Sequence, residues 1–218
     1  MLILKLKEKN RIREKNQICN GGIKLKKNYL YGFLRPFLST LFKLWYHPKI
    51  VGKENISRQG RLIIAGNHIH IFDAILVGAS TKRRLYSLAK KELFKSGFGF
   101  FFRAVGCIQV DRENKNEEAK KMAIECLNEE NILYIAPEGT RNKTDKVLLD
   151  FKYGAVSLAK KTNSKIVPYA ITGDYKFRSK NLKIVFDKPI ELNDLSLEES
   201  NNLLYENVKK LVIENKNV

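Results

Sequence analysis

The chain has 218 residues, of which 44% are hydrophobic, so a sizeable core can form and disorder is excluded over most of the length. Its 41 Lys and Arg against 23 Asp and Glu leave a formal charge of +18. That excess favours anionic partners, whether phospholipid head groups, nucleic acid or phosphorylated substrates, although a Lys-rich solvated surface would carry the same charge.

Three cysteines, Cys19, Cys107 and Cys126, fit neither a disulfide framework nor a zinc pattern. No metal is expected, and a reducing cytosol suits the chain. Met1-Leu2-Ile3-Leu4 meets Lys5 before an apolar run develops, so a secretory signal is not expected. No stretch reaches the roughly 18 uncharged apolar residues of a spanning helix.

In chain order, residues 1–28 read as a basic arm. Lys5, Lys7, Lys9, Arg11, Arg13, Lys15, Lys24, Lys26 and Lys27 face only Glu8 and Glu14, and Gly21-Gly22 interrupts the arm. Residues 29–50 crowd together Tyr29, Tyr31, Phe33, Phe37, Phe42, Trp45 and Tyr46, with Arg35, Lys43 and His47 between them. Pro36 and Pro48 predict two short amphipathic helices here. Such a pair suits the head-group zone of a bilayer; packing against the domain core would use the same aromatics.

Residues 51–218 form the third division. Strands are predicted at 61–66, 84–89, 106–110, 131–136, 166–172 and 182–186. Helices are expected over 117–129 and 151–161, and behind Ser196 and Glu199, a capping-box pair preceding the stripe Leu203, Leu204, Val208, Leu211 and Val212. This alternation predicts a single-domain α/β sandwich around one main sheet.

Candidate chemistry falls at strand ends, where ligands of open α/β sheets gather. His68 and Asp73 follow the first strand at a turn into a helix. The carboxylate there can hold one imidazole nitrogen and leave the other free to accept a proton. A substrate hydroxyl would then be the nucleophile. Alternatively, Asp73 is only a helix-start carboxylate favoured by the dipole. His70 offers a second imidazole, but its spacing to Asp73 is wrong. Arg112 stands at the end of the strand Gly106–Val110, and its planar fork suits phosphate. Pro137-Glu138-Gly139-Thr140-Arg141 makes a tight turn in which Gly139 admits close backbone approach and Arg141 adds a second guanidinium.

Taken together, the blocks Asn67-His68 with Asp73, Ile108-Gln109-Val110-Asp111-Arg112, Pro137-Glu138-Gly139-Thr140-Arg141 and Ile166-Val167-Pro168 resemble the 1-acylglycerol-3-phosphate acyltransferase family. Ala89-Lys90-Lys91-Glu92-Leu93 and Phe151-Lys152-x-Gly154 are similar to further stretches of that family, and the resemblance spans roughly residues 45–190. His70, Phe72 and Ala136 depart from its usual pattern.

The resemblance implies transfer of a fatty acyl group from acyl-CoA or acyl-acyl-carrier-protein to the free hydroxyl of lysophosphatidic acid, without a cofactor. It implies His68 as general base and Asp73 as its orienting partner. Arg112 would bind the acceptor phosphate with Glu138, Gly139 and Arg141, Lys90 would be a further phosphate contact, and Pro168 would shape the acyl or donor side. Backbone N–H groups near Gly139 or the His68 turn are candidate oxyanion donors. The expected setting is peripheral or monotopic, on the cytoplasmic face of an anionic membrane, with acyl carrier protein as a partner and nucleic acid not. Glycerol 3-phosphate or another lysophospholipid is the alternative acceptor. A basic protein that binds nucleic acid or a membrane surface without catalysis is the alternative outside enzymes; against it, the aromatics cluster apart from the basic arm.

Overall fold

The computed structural model describes residues 29–95, 102, 106–110 and 117–216. The basic arm, Cys19 and the Asp111-Arg112 pair lie outside the described residues.

The run Leu62-Ile63-Ile64-Ala65 is apolar without alternation, the pattern of a parallel strand covered on both faces. It becomes β2 (Leu62–Gly66), and all four side chains are at most 1% exposed. Around it lie β1 (Lys49–Val51), β3 (Leu85–Lys90), β4 (Cys107–Val110), β5 (Ile132–Ile135), β6 (Lys165–Thr172) and β7 (Lys183–Phe186). They form one seven-stranded sheet in the order β1-β7-β6-β2-β5-β3-β4. Only the β6–β7 pair is antiparallel. The helices are α1 (Tyr29–Tyr46), α2 (Asp73–Ser80), α3 (Lys91–Lys95), α4 (Glu117–Asn128), α5 (Gly154–Thr162) and α6 (Leu197–Lys216). This is the α/β sandwich around one sheet that the alternation predicts.

Each sheet face carries its own core. Ile63, Ala65, Ile166 and Ala170 point toward α4, α5 and α6, where Ala123, Leu127, Ala155, Val156, Leu204 and Val208 meet them. Leu62, Ile64, Val167 and Tyr169 point the other way, toward Phe42 of α1 and Leu76 and Val77 of α2. Each fully buried Leu, Ile or Val contributes about 1.5–3 kcal/mol over its exposed state. The Ser196–Glu199 capping box forms at the head of α6: Ser196 N–H donates to Glu199 Oε2 (2.7 Å) and Glu199 N–H to Ser196 Oγ (3.1 Å).

Two expectations are corrected. Residues 29–46 are one helix, not a pair broken at Pro36. An interior proline costs about 3 kcal/mol, but tertiary contacts oppose the break. After Pro36, Phe42 is buried beside Tyr46 (4.7 Å between ring centroids); before it, Arg35 donates to the carbonyls of Gly78 (2.9 Å) and Lys82 (2.6 Å) at the end of α2. Helix α1 stops where His47 takes φ 46° just before Pro48. The second correction is β1: Lys49–Val51 pairs in parallel with Lys183–Val185 and belongs to the sheet, not to a helical segment.

The topology positions the chemistry. Because β2, β5, β3 and β4 are adjacent and parallel, their carboxyl ends share one edge, about 5 Å apart from strand to strand. His68 follows β2, the Pro137–Arg141 turn follows β5, Lys90 ends β3, and Arg112 follows β4 in sequence.

Candidate active site

Gly66 ends β2 because a side chain is impossible there: a Cβ would lie 2.1 Å from the Tyr169 carbonyl oxygen. Asn67 then locks β2 to β6. Its Nδ2 donates to the Ile171 carbonyl (2.8 Å) and its Oδ1 accepts the Ile171 N–H (2.7 Å). The Tyr169 hydroxyl donates to the Asn67 carbonyl (2.7 Å). The chain leaves the sheet at His68 from a fixed point.

Asp73 is the first residue of α2 and is fully buried. Its Oδ2 lies 2.8 Å from His68 Nδ1 and also accepts the N–H groups of Ile69 (2.8 Å) and His70 (2.9 Å). One carboxylate therefore closes the turn, sits at a helix start where the dipole favours its charge, and holds an imidazole. With Nδ1 engaged as donor, Nε2 of His68 is left to accept a proton. The His68 side chain is 22% exposed, so an incoming hydroxyl can reach it.

His70 is used differently. Its Nδ1 accepts the Phe72 N–H (3.3 Å), and its ring stacks on Tyr175 (4.4 Å, 20° between planes). Only its backbone reaches Asp73, so the imidazole paired with the carboxylate is that of His68.

Glu138 is hydrogen-bonded within the protein through both oxygens. Its side chain is buried, Oε1 accepts the His68 N–H (2.7 Å) and Oε2 accepts the Leu149 N–H (2.8 Å). Burial pushes its carboxyl above the ordinary range, and the two amides oppose that. Its two oxygens brace the His68 turn against the turn after β5. The Asn142 N–H donates to the His68 carbonyl (2.8 Å) and completes that link.

Gly139 has φ +70°, which a side chain would strain, and a Cβ there would also meet Lys152 Nζ at 3.0 Å. The Lys152 ammonium thus lies against the turn, and the Lys152 backbone N–H donates to the Pro137 carbonyl (2.9 Å). Arg141 and Lys90 are exposed on the same sheet edge.

Of the backbone N–H groups near Gly139 and at the His68 turn, these are already engaged: His68 N–H by Glu138, Ile69 and His70 N–H by Asp73, Gly139 N–H by the Ala136 carbonyl (3.0 Å). Pro168 pairs with Ala65 of β2, three residues before His68. It sits mid-strand in β6, on the face opposite Val167 and Tyr169, where the ladder to the β7 side slips by one residue between Ile166↔Ile190 and Tyr169↔Phe186. A proline fits there because its missing N–H falls at the slip.

Cys107 and Cys126 are not activated. Burial pushes both thiols up, and Cys126 is fully enclosed. Among the described residues, no cluster of His, Cys, Asp and Glu converges as metal ligands, and no helix is long and apolar enough to cross a membrane.

Residues 47–172 match the Acyltransferase family model. The 1-acyl-sn-glycerol-3-phosphate acyltransferase of Bacillus subtilis is 30% identical over 173 residues, which span 77% of this chain and 85% of that protein. The protein of the same name from Helicobacter pylori is 36% identical over 135 residues, 61% of this chain and 54% of its own. Among solved structures, the 1-acyl-sn-glycerophosphate (LPA) acyltransferase of Thermotoga maritima superimposes with a TM-score of 0.70 at 26% identity, over 85% of this chain and 79% of that one.

Proposed function

The chain belongs to the acyltransferase family, and from that premise we infer that it acylates the free hydroxyl of 1-acyl-sn-glycerol 3-phosphate to give phosphatidic acid. The relatives of that name support the reaction. The observation that carries the mechanism is the 2.8 Å contact between His68 Nδ1 and the buried Asp73 carboxylate. His68 Nε2 takes the proton of the acceptor hydroxyl as its oxygen attacks the thioester carbonyl. Asp73 keeps the imidazole in one tautomer and stabilises the imidazolium that forms. The carbon–sulfur bond then breaks, and the thiolate leaves with the proton returned from His68. General base catalysis of this kind contributes about 10²–10⁴ in rate.

Arg141, Lys152, Lys90 and Arg112 provide the cations for the acceptor phosphate. Glu138 serves this seat indirectly, by fixing the turn that bears Arg141. Among the described residues the amides of Thr140 and Arg141 lack partners, and they are the oxyanion donors in this scheme. The donor is acyl-CoA or an acyl carrier protein; the +18 charge favours the acidic carrier. An acceptor comparison tests the reading. Thiol release should rise at least tenfold with 1-acyl-sn-glycerol 3-phosphate and far less with glycerol 3-phosphate or lysophosphatidylcholine. Equal rates with all three would overturn it.

Membrane seating follows from α1. While Phe42 and Tyr46 pack inward, Phe37, Leu41, Leu44 and Trp45 are half or more exposed. Phe177 from the loop after β6 joins them beside Trp45 (4.8 Å between centroids). Burial, then repulsion from Lys53 and Arg35, holds Lys43 below the ordinary lysine range, so an anionic surface would relieve this crowding. We propose a peripheral seat on an anionic leaflet, on its cytoplasmic face. Leu41→Ser with Leu44→Ser should cut sedimentation with phosphatidylglycerol vesicles about fivefold or more while the melting temperature stays within roughly 3 °C, since neither side chain is in the core. Unaltered sedimentation would remove α1 from the membrane contact.

A further inference from the structure

A fully buried carboxylate needs partners for both oxygens. Asp73 Oδ2 has three, from His68, Ile69 and His70. Oδ1 is served from far away in the chain: the Tyr175 hydroxyl donates to it at 2.7 Å across a separation of 102 residues. Tyr175 lies in the loop joining β6 to β7, and that loop is anchored. The Arg178 N–H donates to the Trp45 carbonyl (2.7 Å), and Phe177 packs edge-on against Trp45. The Tyr175 ring is stacked on His70 and flanked by Tyr46 (5.6 Å), Phe72 (6.3 Å) and Phe42 (6.5 Å). Burial, and then the charge of Asp73, pushes the phenol well above the ordinary tyrosine range, so the hydroxyl keeps its proton and remains a donor.

We propose that Tyr175 is a positioning residue for acyl transfer, fixing the rotation of the Asp73 carboxylate so that Oδ2 holds His68 in one tautomer and orientation. The proposal rests on the His68–Asp73 reading above and deepens it. Tyr175 acts through Asp73. Without the hydroxyl, Oδ1 becomes a buried charged acceptor with no donor, and the carboxylate turns to find water. That rotation draws Oδ2 away from Nδ1.

Tyr175→Phe keeps the ring stack and removes only the donor. We expect kcat for acceptor-dependent thiol release to fall about tenfold or more, with the acceptor KM within about twofold of wild type. In a His68→Ala background the same exchange should leave the residual rate unchanged within about twofold, because no imidazole remains to be positioned. A structural role alone would lower both backgrounds alike. Replacing Tyr175 with 4-aminophenylalanine, which retains a donor at the same place, should restore much of the loss and covers the case in which the Phe variant folds poorly. An unchanged kcat in Tyr175→Phe, an equal loss in both backgrounds, or no recovery with the amino variant would overturn the proposal while the acyl transfer reading stands. A wild-type chain without acceptor-dependent thiol release would overturn both.

Discussion

His68→Ala should lower kcat for acyl transfer by about 10³, within the 10²–10⁴ range of general base catalysis, and leave the fold intact. The side chain's hydrogen bond is to Asp73, and the backbone N–H bond to Glu138 survives the substitution. The acceptor KM should change little, since the phosphate seat proposed above uses side chains other than His68. Steady-state thiol release together with thermal unfolding checks this. A variant with more than a tenth of the wild-type kcat would show that the base lies elsewhere. His70 is the one imidazole nearby that could serve, and its ring is occupied by Tyr175 and Phe72.

Asp73→Asn should have the second largest effect, about 10² on kcat, by a separate route. The amide has nearly the shape of the carboxylate, so its oxygen can occupy the Oδ2 position and still accept from His68, Ile69 and His70. Its NH₂ then faces the Tyr175 hydroxyl, which turns to accept. The imidazole keeps its tautomer but loses the negative charge that stabilises imidazolium as the proton moves. Fewer and weaker bonds to a buried group should also cost about 1–3 kcal/mol of stability. Activity within threefold of wild type would mean that the carboxylate only closes the turn at the start of α2.

How far the sequence spoke depended on how local each contact was. β2 was legible because four consecutive buried side chains leave no room for alternation. The His68–Asp73 pair was legible because its partners are five residues apart at a strand-to-helix turn. Both readings of Asp73, as helix-start carboxylate and as imidazole partner, describe the same atom, Oδ2. The Pro137–Arg141 turn could be found from its residue types, but not the use of Glu138. That depended on two amides, 70 and 11 residues away, folding onto its two oxygens. Tyr175 was missed for the same reason. Its only local signal was a place just past β6, a strand parallel to β2. Pro36 misled because a local breaking rule was applied where side-chain packing opposes it. β1 was missed because three residues with little burial give no periodicity. The aromatics of residues 29–46 were read as facing either membrane or core, and α1 divides them: Phe42 is buried, and Phe37 and Trp45 are exposed.

The basic charge alone never separated lipid from nucleic acid. What favours lipid is the imidazole of His68 held by Asp73, with Lys90 and Arg141 exposed at the ends of neighbouring strands, an arrangement that suits a phosphate-bearing acceptor with a free hydroxyl.

The most direct test is to follow the acyl group itself. Purified protein would be mixed with a radiolabelled acyl thioester and vesicles containing 1-acyl-sn-glycerol 3-phosphate, and the label traced. The account predicts label in phosphatidic acid in step with thiol release, and none stably bound to protein. Thiol release without labelled phosphatidic acid, or label accumulating on the chain when the acceptor is omitted, would contradict it.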